Sequence, residues 1–113
     1  MRLVKLNNNA IVMVMNDVEE IDGKEIIPNS EDAAFEKHVP NFKKLDDESV
    51  EISVNHVMEE DHYIEWIAIC HDDKVCMTYL EPGKPAVAHC KYVPGSVIYA
   101  YCNKHQLWKK EVE

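Results

Sequence analysis

Apolar and β-branched residues recur along the chain in short runs, each closed by turn-forming residues. Residues 10–15 (AIVMVM) lie between Asn7-Asn8-Asn9 and Asn16-Asp17, and Val50, Ile52 and Val54 alternate with polar neighbours as a half-buried strand requires. Residues 62–70 (HYIEWIAIC), 75–80 (VCMTYL), 85–93 (PAVAHCKYV) and 96–102 (SVIYAYC) are further β-favouring runs. Asp46-Asp47-Glu48, Asp72-Asp73, Pro82-Gly83-Lys84-Pro85 and Pro94-Gly95-Ser96 supply the turns between them. No stretch longer than about two turns sustains an apolar i, i+3, i+4 pattern, although residues 18–27 fit either state. The pattern therefore predicts an all-β fold, an antiparallel β-sandwich of many short strands. Residues 29–34 (NSEDAA) are small and polar, and mark a joint between an N-terminal piece and the rest. A piece of that size builds no core alone, so it must pack on the main domain or on a partner chain.

The totals narrow the class of partner. With 113 residues the chain holds one main domain and at most a small appendage. Its formal net charge of −9 repels phosphate backbones and anionic lipids, which argues against nucleic acid as a partner. The longest apolar run, residues 10–15, is far short of a membrane span, and Met1-Arg2-Leu3-Val4-Lys5 is followed by asparagines rather than by a secretory signal. The expected compartment is the cytoplasm. Cys70 and Cys76 flank a turn at residues 71–74, and in a reducing compartment they are expected to remain thiols.

Cys102 and His105 stand three positions apart with two residues between them, a spacing at which one tight turn aims a sulfur and a ring nitrogen at a single metal ion. Taken alone, such a pair is more commonly a buried structural cysteine beside a surface histidine. Of the six histidines, His38, His56, His62 and His105 lie in polar or turn-like contexts, whereas His71 at a turn tip and His89 in mid-strand read as solvated or hydrogen-bonded imidazoles. As bare residue types, four imidazoles and a thiolate suggest structural zinc first, yet zinc takes four ligands and five donors are present.

In order and spacing, Glu36-Lys37-His38-Val39-Pro40, the segment HVMEEDHYIEWI (residues 56–67), the turn LEPGKP (residues 80–85) and CNKHQLWK (residues 102–109) resemble the superoxide reductases of the desulfoferrodoxin and neelaredoxin family. The resemblance spans roughly two thirds of the chain. It implies a seven-stranded immunoglobulin-like antiparallel β-sandwich over residues 35–113, carrying one mononuclear non-haem iron. Position by position, the family's four imidazole ligands fall on His38, His56, His62 and His105, and its thiolate on Cys102. Its mobile glutamate and lysine fall on Glu36 and Lys37. The implied activity is one-electron reduction of superoxide to hydrogen peroxide, with electrons from an external donor such as rubredoxin.

The implied substrate is an anion and the chain is acidic. Remote carboxylates are screened over about 8 Å, whereas a lysine about 6 Å from the anion, at an effective dielectric near 20, contributes roughly 2–3 kcal/mol. Lys37 is the expected attracting charge.

The family's two-iron members carry a second, four-cysteine iron centre near the N-terminus, but this chain has no cysteine before Cys70. Residues 1–34 then read as a vestigial domain without metal ligands, a small β appendage that packs or mediates a homodimer. Val57 stands where the family usually has proline, and Gln106 where it has glycine, which implies an altered turn if that position needs φ > 0. The competing readings are a non-catalytic, metal-stabilised β-sandwich binding module and an iron electron carrier.

Overall fold

A computed structural model describes residues 2–72 and 74–112. Among them, ten strands form three antiparallel sheets. β1 (Arg2–Leu6), β2 (Ile11–Val14) and β3 (Gly23–Glu25) make an N-terminal sheet in the order β2-β1-β3. The remaining seven build the expected sandwich. One layer contains β4 (Asn41–Lys44), β5 (Ser49–Ser53) and β8 (Val87–Lys91), in the order β4-β5-β8. The other contains β6 (Ile64–His71), β7 (Lys74–Tyr79), β9 (Val97–Cys102) and β10 (Gln106–Glu111), in the order β10-β9-β6-β7.

The six runs with strand periodicity become β2, β5, β6, β7, β8 and β9. Residues 18–27 form no helix and contribute β3 instead, where a side chain on Gly23 would meet Lys5 O at 2.5 Å. β4 and β10 lie at sheet edges and carry lysines, so they lack the apolar alternation of central strands. The turn expected at residues 71–74 includes Asp73, which lies outside the described residues. Among the described residues, no helix is long and apolar enough to cross a membrane.

β6 and β9 are buried on both faces, which explains their nearly continuous apolar sequences. Ile64, Ile67, Ile69, Ile98, Ala100 and Cys102 belong to the core between the two layers. Trp66, Ala68, Tyr99 and Tyr101 pack on the opposite side with Leu3 and Ile26 of the N-terminal segment. A bulge between Ile64 and Trp66 lets these two residues, spaced two apart, join opposite cores. The N-terminal sheet thus covers an apolar face of the sandwich, as a piece too small for its own core must. The polar joint is tied down as well, because Asn29 N donates to Leu107 O at 2.9 Å and Asn29 Oδ1 accepts from Lys109 N at 2.9 Å.

Candidate metal centre

Five side chains meet at one end of the sandwich. The donor atoms of His38, His56, His62, Cys102 and His105 all lie within 4.8 Å of one another. Each arrives by a different local device. Cys102 is the last residue of β9, fully buried, and His105 follows in the turn to β10. His38 ends the short 3-10 turn Phe35–Lys37, whose geometry carries its ring inward to 4% exposure. His56 follows β5, and His62 is fixed by a two-way backbone bridge with Glu59.

Hydrogen bonds set which ring nitrogens face inward. Ala34 O lies 2.7 Å from His38 Nδ1, and Val57 O lies 2.5 Å from His56 Nδ1. A carbonyl only accepts, so both Nδ1 atoms carry the proton and both Nε2 atoms are left with free lone pairs. His38 Nε2 then lies 3.1 Å from His105 Nδ1, and Cys102 Sγ lies 3.5 Å from His56 Nε2 and 3.8 Å from His105 Nδ1. His62 Nε2 is buried with no hydrogen-bond partner. A buried nitrogen without a partner is costly unless something else satisfies it.

A metal cation accounts for these observations together. Donors roughly 2.1 Å from a common centre are spaced about 3 Å apart when adjacent and about 4.2 Å when opposite, with sulfur slightly farther. The separations of 3.1, 3.5 and 3.8 Å fall in that range, the whole set stays within 4.8 Å, and His62 Nε2 would gain its partner. Imidazole and thiolate suit iron, zinc, copper and nickel, and disfavour magnesium and calcium.

The protein environment favours the neutral form of three of the imidazoles. Burial is the main cause that lowers the pKa of His38, His56 and His62, and neighbouring imidazoles add to it. Lys104 also lowers His62, while Glu36 acts on His38 in the opposite sense. Neutral imidazoles are the form that binds metal. Glu36 and Lys37 are exposed on the turn immediately before His38.

Two supporting residues were not singled out from sequence. Trp108 is fully buried, stacks on His38 with centroids 4.8 Å apart, and donates from Nε1 to His105 O at 2.9 Å. Asn103 ties the Cys102 turn to the His62 segment through Tyr63 N and Asp61 O. Its signal was an asparagine directly after the cysteine, in a turn where its amide can bond backbone. His71 and His89 stay outside the cluster, paired with Asp72 and Glu51. The described contacts of Cys102 Sγ are to the imidazole nitrogens of His56 and His105.

Gln106 occupies the site's remaining departure from pattern. Its φ is +61°, so the turn keeps the left-handed conformation without glycine. Its side chain donates to Glu31 Oε1 at 3.0 Å.

The desulfoferrodoxin family model matches residues 30–111, which contain all five donors. The chain belongs to the desulfoferrodoxin family. The family's desulfoferrodoxin from Clostridium acetobutylicum is 39% identical over 90 residues, covering 77% of this chain and 71% of that protein. The one from Desulfarculus baarsii is 42% identical over 93 residues, covering 80% and 74%. Among solved structures, the superoxide reductase of Treponema pallidum superposes with a TM-score of 0.73 over 96% of this chain and 98% of its own, at 19% identity. That likeness is one of fold, and its coverage extends it to the N-terminal sheet that precedes the family match. The one-iron superoxide reductase of Giardia intestinalis gives a TM-score of 0.56 at 26% identity, over 66% of this chain and 94% of its own.

Proposed function

We propose that this chain is a superoxide reductase with one mononuclear non-haem iron, held by His38, His56, His62, His105 and Cys102. The observation that carries the reading is the convergence of four imidazoles and one thiol at a spacing that suits a single cation, within a family whose structural relatives are named superoxide reductases. A ferrous ion at this centre would supply one electron, and superoxide with that electron and two protons becomes hydrogen peroxide. As a thiolate ligand, Cys102 would donate charge to the metal and favour that transfer.

The chain's own residues do the rest. Lys37, beside His38 on an exposed turn, draws the anionic substrate toward the cluster against the chain's negative charge. Glu36 is the neighbouring carboxylate that occupies the site after product leaves. Ala34 O and Val57 O hold two imidazoles in the tautomer that binds metal. Residues 1–34 are a ligand-free appendage, and residues 35–113 the iron-binding domain. The electron donor is a rubredoxin-like protein, since residues 1–69 contain no cysteine for a second iron centre. Four free thiols suit a reducing cytoplasm, and the N-terminal sheet, with edge strand β2 and the exposed Met15, suits a homodimer contact.

Metal analysis with a visible spectrum tests the assignment. Purified protein should carry one iron per chain and turn blue on oxidation as a thiolate-to-ferric band appears, and Cys102→Ser should remove the band. Colourless protein with stoichiometric zinc and no superoxide consumption would instead point to a structural metal.

A further inference from the structure

The other three cysteines are not interchangeable, and strand parity separates them. Cys70 pairs with Val75 and Cys76 with Ile69 across the β6–β7 ladder, so the two cysteines face opposite sides of the sheet. Cys70 packs with the cluster under the N-terminal sheet, whereas Ile69 belongs to the core between the layers. A bridge between Cys70 and Cys76 is excluded by that geometry. Cys76 instead meets Cys90, which pairs with Val50 in the opposite layer, and the two sulfurs lie 3.4 Å apart. β7 and β8 are at the edges of their sheets, and among the described residues no ladder joins them. The thiol contact therefore sits on the open flank of the sandwich.

We infer that Cys76 and Cys90 form a peroxide-responsive dithiol, oxidised to a disulfide that staples the two layers along this flank. The roles follow from access. Cys76 is exposed and lines a cleft of about 700 Å³ together with His71, Lys74 and Lys91. A small oxidant reaches it from solvent through this cleft, which Lys74 and Lys91 border. Cys90 is buried, and its thiol is pushed up to about 12 by burial and by the contact with Cys76. It is the resolving partner.

The Cys76 thiolate attacks one oxygen of hydrogen peroxide, the O–O bond breaks with release of hydroxide, and the sulfur becomes a sulfenic acid. Cys90 sulfur then attacks Cys76 sulfur, the S–O bond breaks and water leaves, so that two thiols and one peroxide give one disulfide and two waters. The sulfurs must close from 3.4 Å to about 2.05 Å, a shift that small side-chain rotations at two edge strands can supply. The oxidant is the product of the reaction proposed above. Ile98, which pairs with the Cys76 neighbour Ile69, lies four residues before Cys102 on β9, about 13 Å along the strand.

The test adds peroxide directly, so its outcome does not depend on superoxide chemistry. Iron-loaded full-length protein is treated with stoichiometric hydrogen peroxide, quenched by alkylation, and analysed by intact mass and peptide mapping. The expected result is two alkyl groups fewer per chain than in the untreated control, with a further loss of about 2 Da, mapped to one link between Cys76 and Cys90, reversed by dithiothreitol, with Tm raised by several degrees. Cys70→Ser should leave the link intact, and Cys90→Ser should accumulate a dimedone-reactive sulfenic acid at Cys76. Four alkylatable thiols after treatment, a sulfinic acid at Cys76 with Cys90 still free, or a bridge between chains would each overturn the inference. A link in protein that consumes no superoxide would leave this inference standing and count against the enzymatic reading alone.

Discussion

Asn103 and Tyr63 hold each other in a closed pair: Tyr63 N donates to Asn103 Oδ1 at 3.0 Å, and Asn103 N donates to Tyr63 O at 3.2 Å. The residue before Tyr63 is His62 and the residue before Asn103 is Cys102, so this pair sets the spacing between two residues of the cluster 40 positions apart. Asn103→Ala removes the bond from Tyr63 and the bond to Asp61 O while leaving every donor in place. It should cost about 1–2 kcal/mol in urea unfolding and weaken metal binding about tenfold. Unchanged metal affinity would show that the bridge at Glu59 fixes His62 without it.

Gln106 offers a test of opposite sign. A non-glycine residue at φ +61° costs on the order of 1 kcal/mol, and its bond to Glu31 recovers only part of that. Gln106→Gly should raise the urea midpoint, with a net gain of about 0.5 kcal/mol after the added flexibility of the unfolded chain. A lower midpoint would mean that the Glu31 contact outweighs the backbone strain.

The imidazole cluster gives the metal-free protein a defined pH dependence. His38, His56 and His62 have folded-state pKa values below the ordinary 6.5, chiefly through burial. The unfolded chain therefore binds more protons than the folded one as pH falls through and below about 6.5. The stability of metal-free protein should be flat above that value and decline on acidification toward the depressed folded-state pKa values. Chemical denaturation from pH 8 to pH 5 checks the slope, and a protein that gains stability on acidification would contradict the buried, neutral assignment.

Lys37→Ala addresses substrate attraction. Losing roughly 2–3 kcal/mol of local attraction should lower the second-order rate with superoxide by one to two orders of magnitude. Iron content and fold should be unchanged, because Lys37 is exposed. An unaltered rate would assign the attraction elsewhere, with Lys104, whose charge acts on His62, as the next residue to remove.

The Cys102 and His105 pair was legible as a candidate from its spacing, but the full set of five donors was legible only through the resemblance of several separate motifs to one family, because the residues alone fit a structural cysteine or a zinc site as well. The central strands were legible because burial on two faces writes itself as continuous β-branched and aromatic runs, as in β6 and β9. β4 and β10 were not, since each carries two lysines and only one or two apolar residues. Trp108 reads equally as a core residue until the fold stacks it on His38. The contact of Cys76 with Cys90 depends on strand order and on which face each residue takes, neither of which follows from spacing.

Product stoichiometry tests the central claim most directly. With iron-loaded protein, a reducing donor in excess and a known amount of superoxide, the account predicts one hydrogen peroxide per superoxide consumed and no dioxygen evolved. A yield of one peroxide for every two superoxides, with dioxygen released, would show dismutation instead and contradict it.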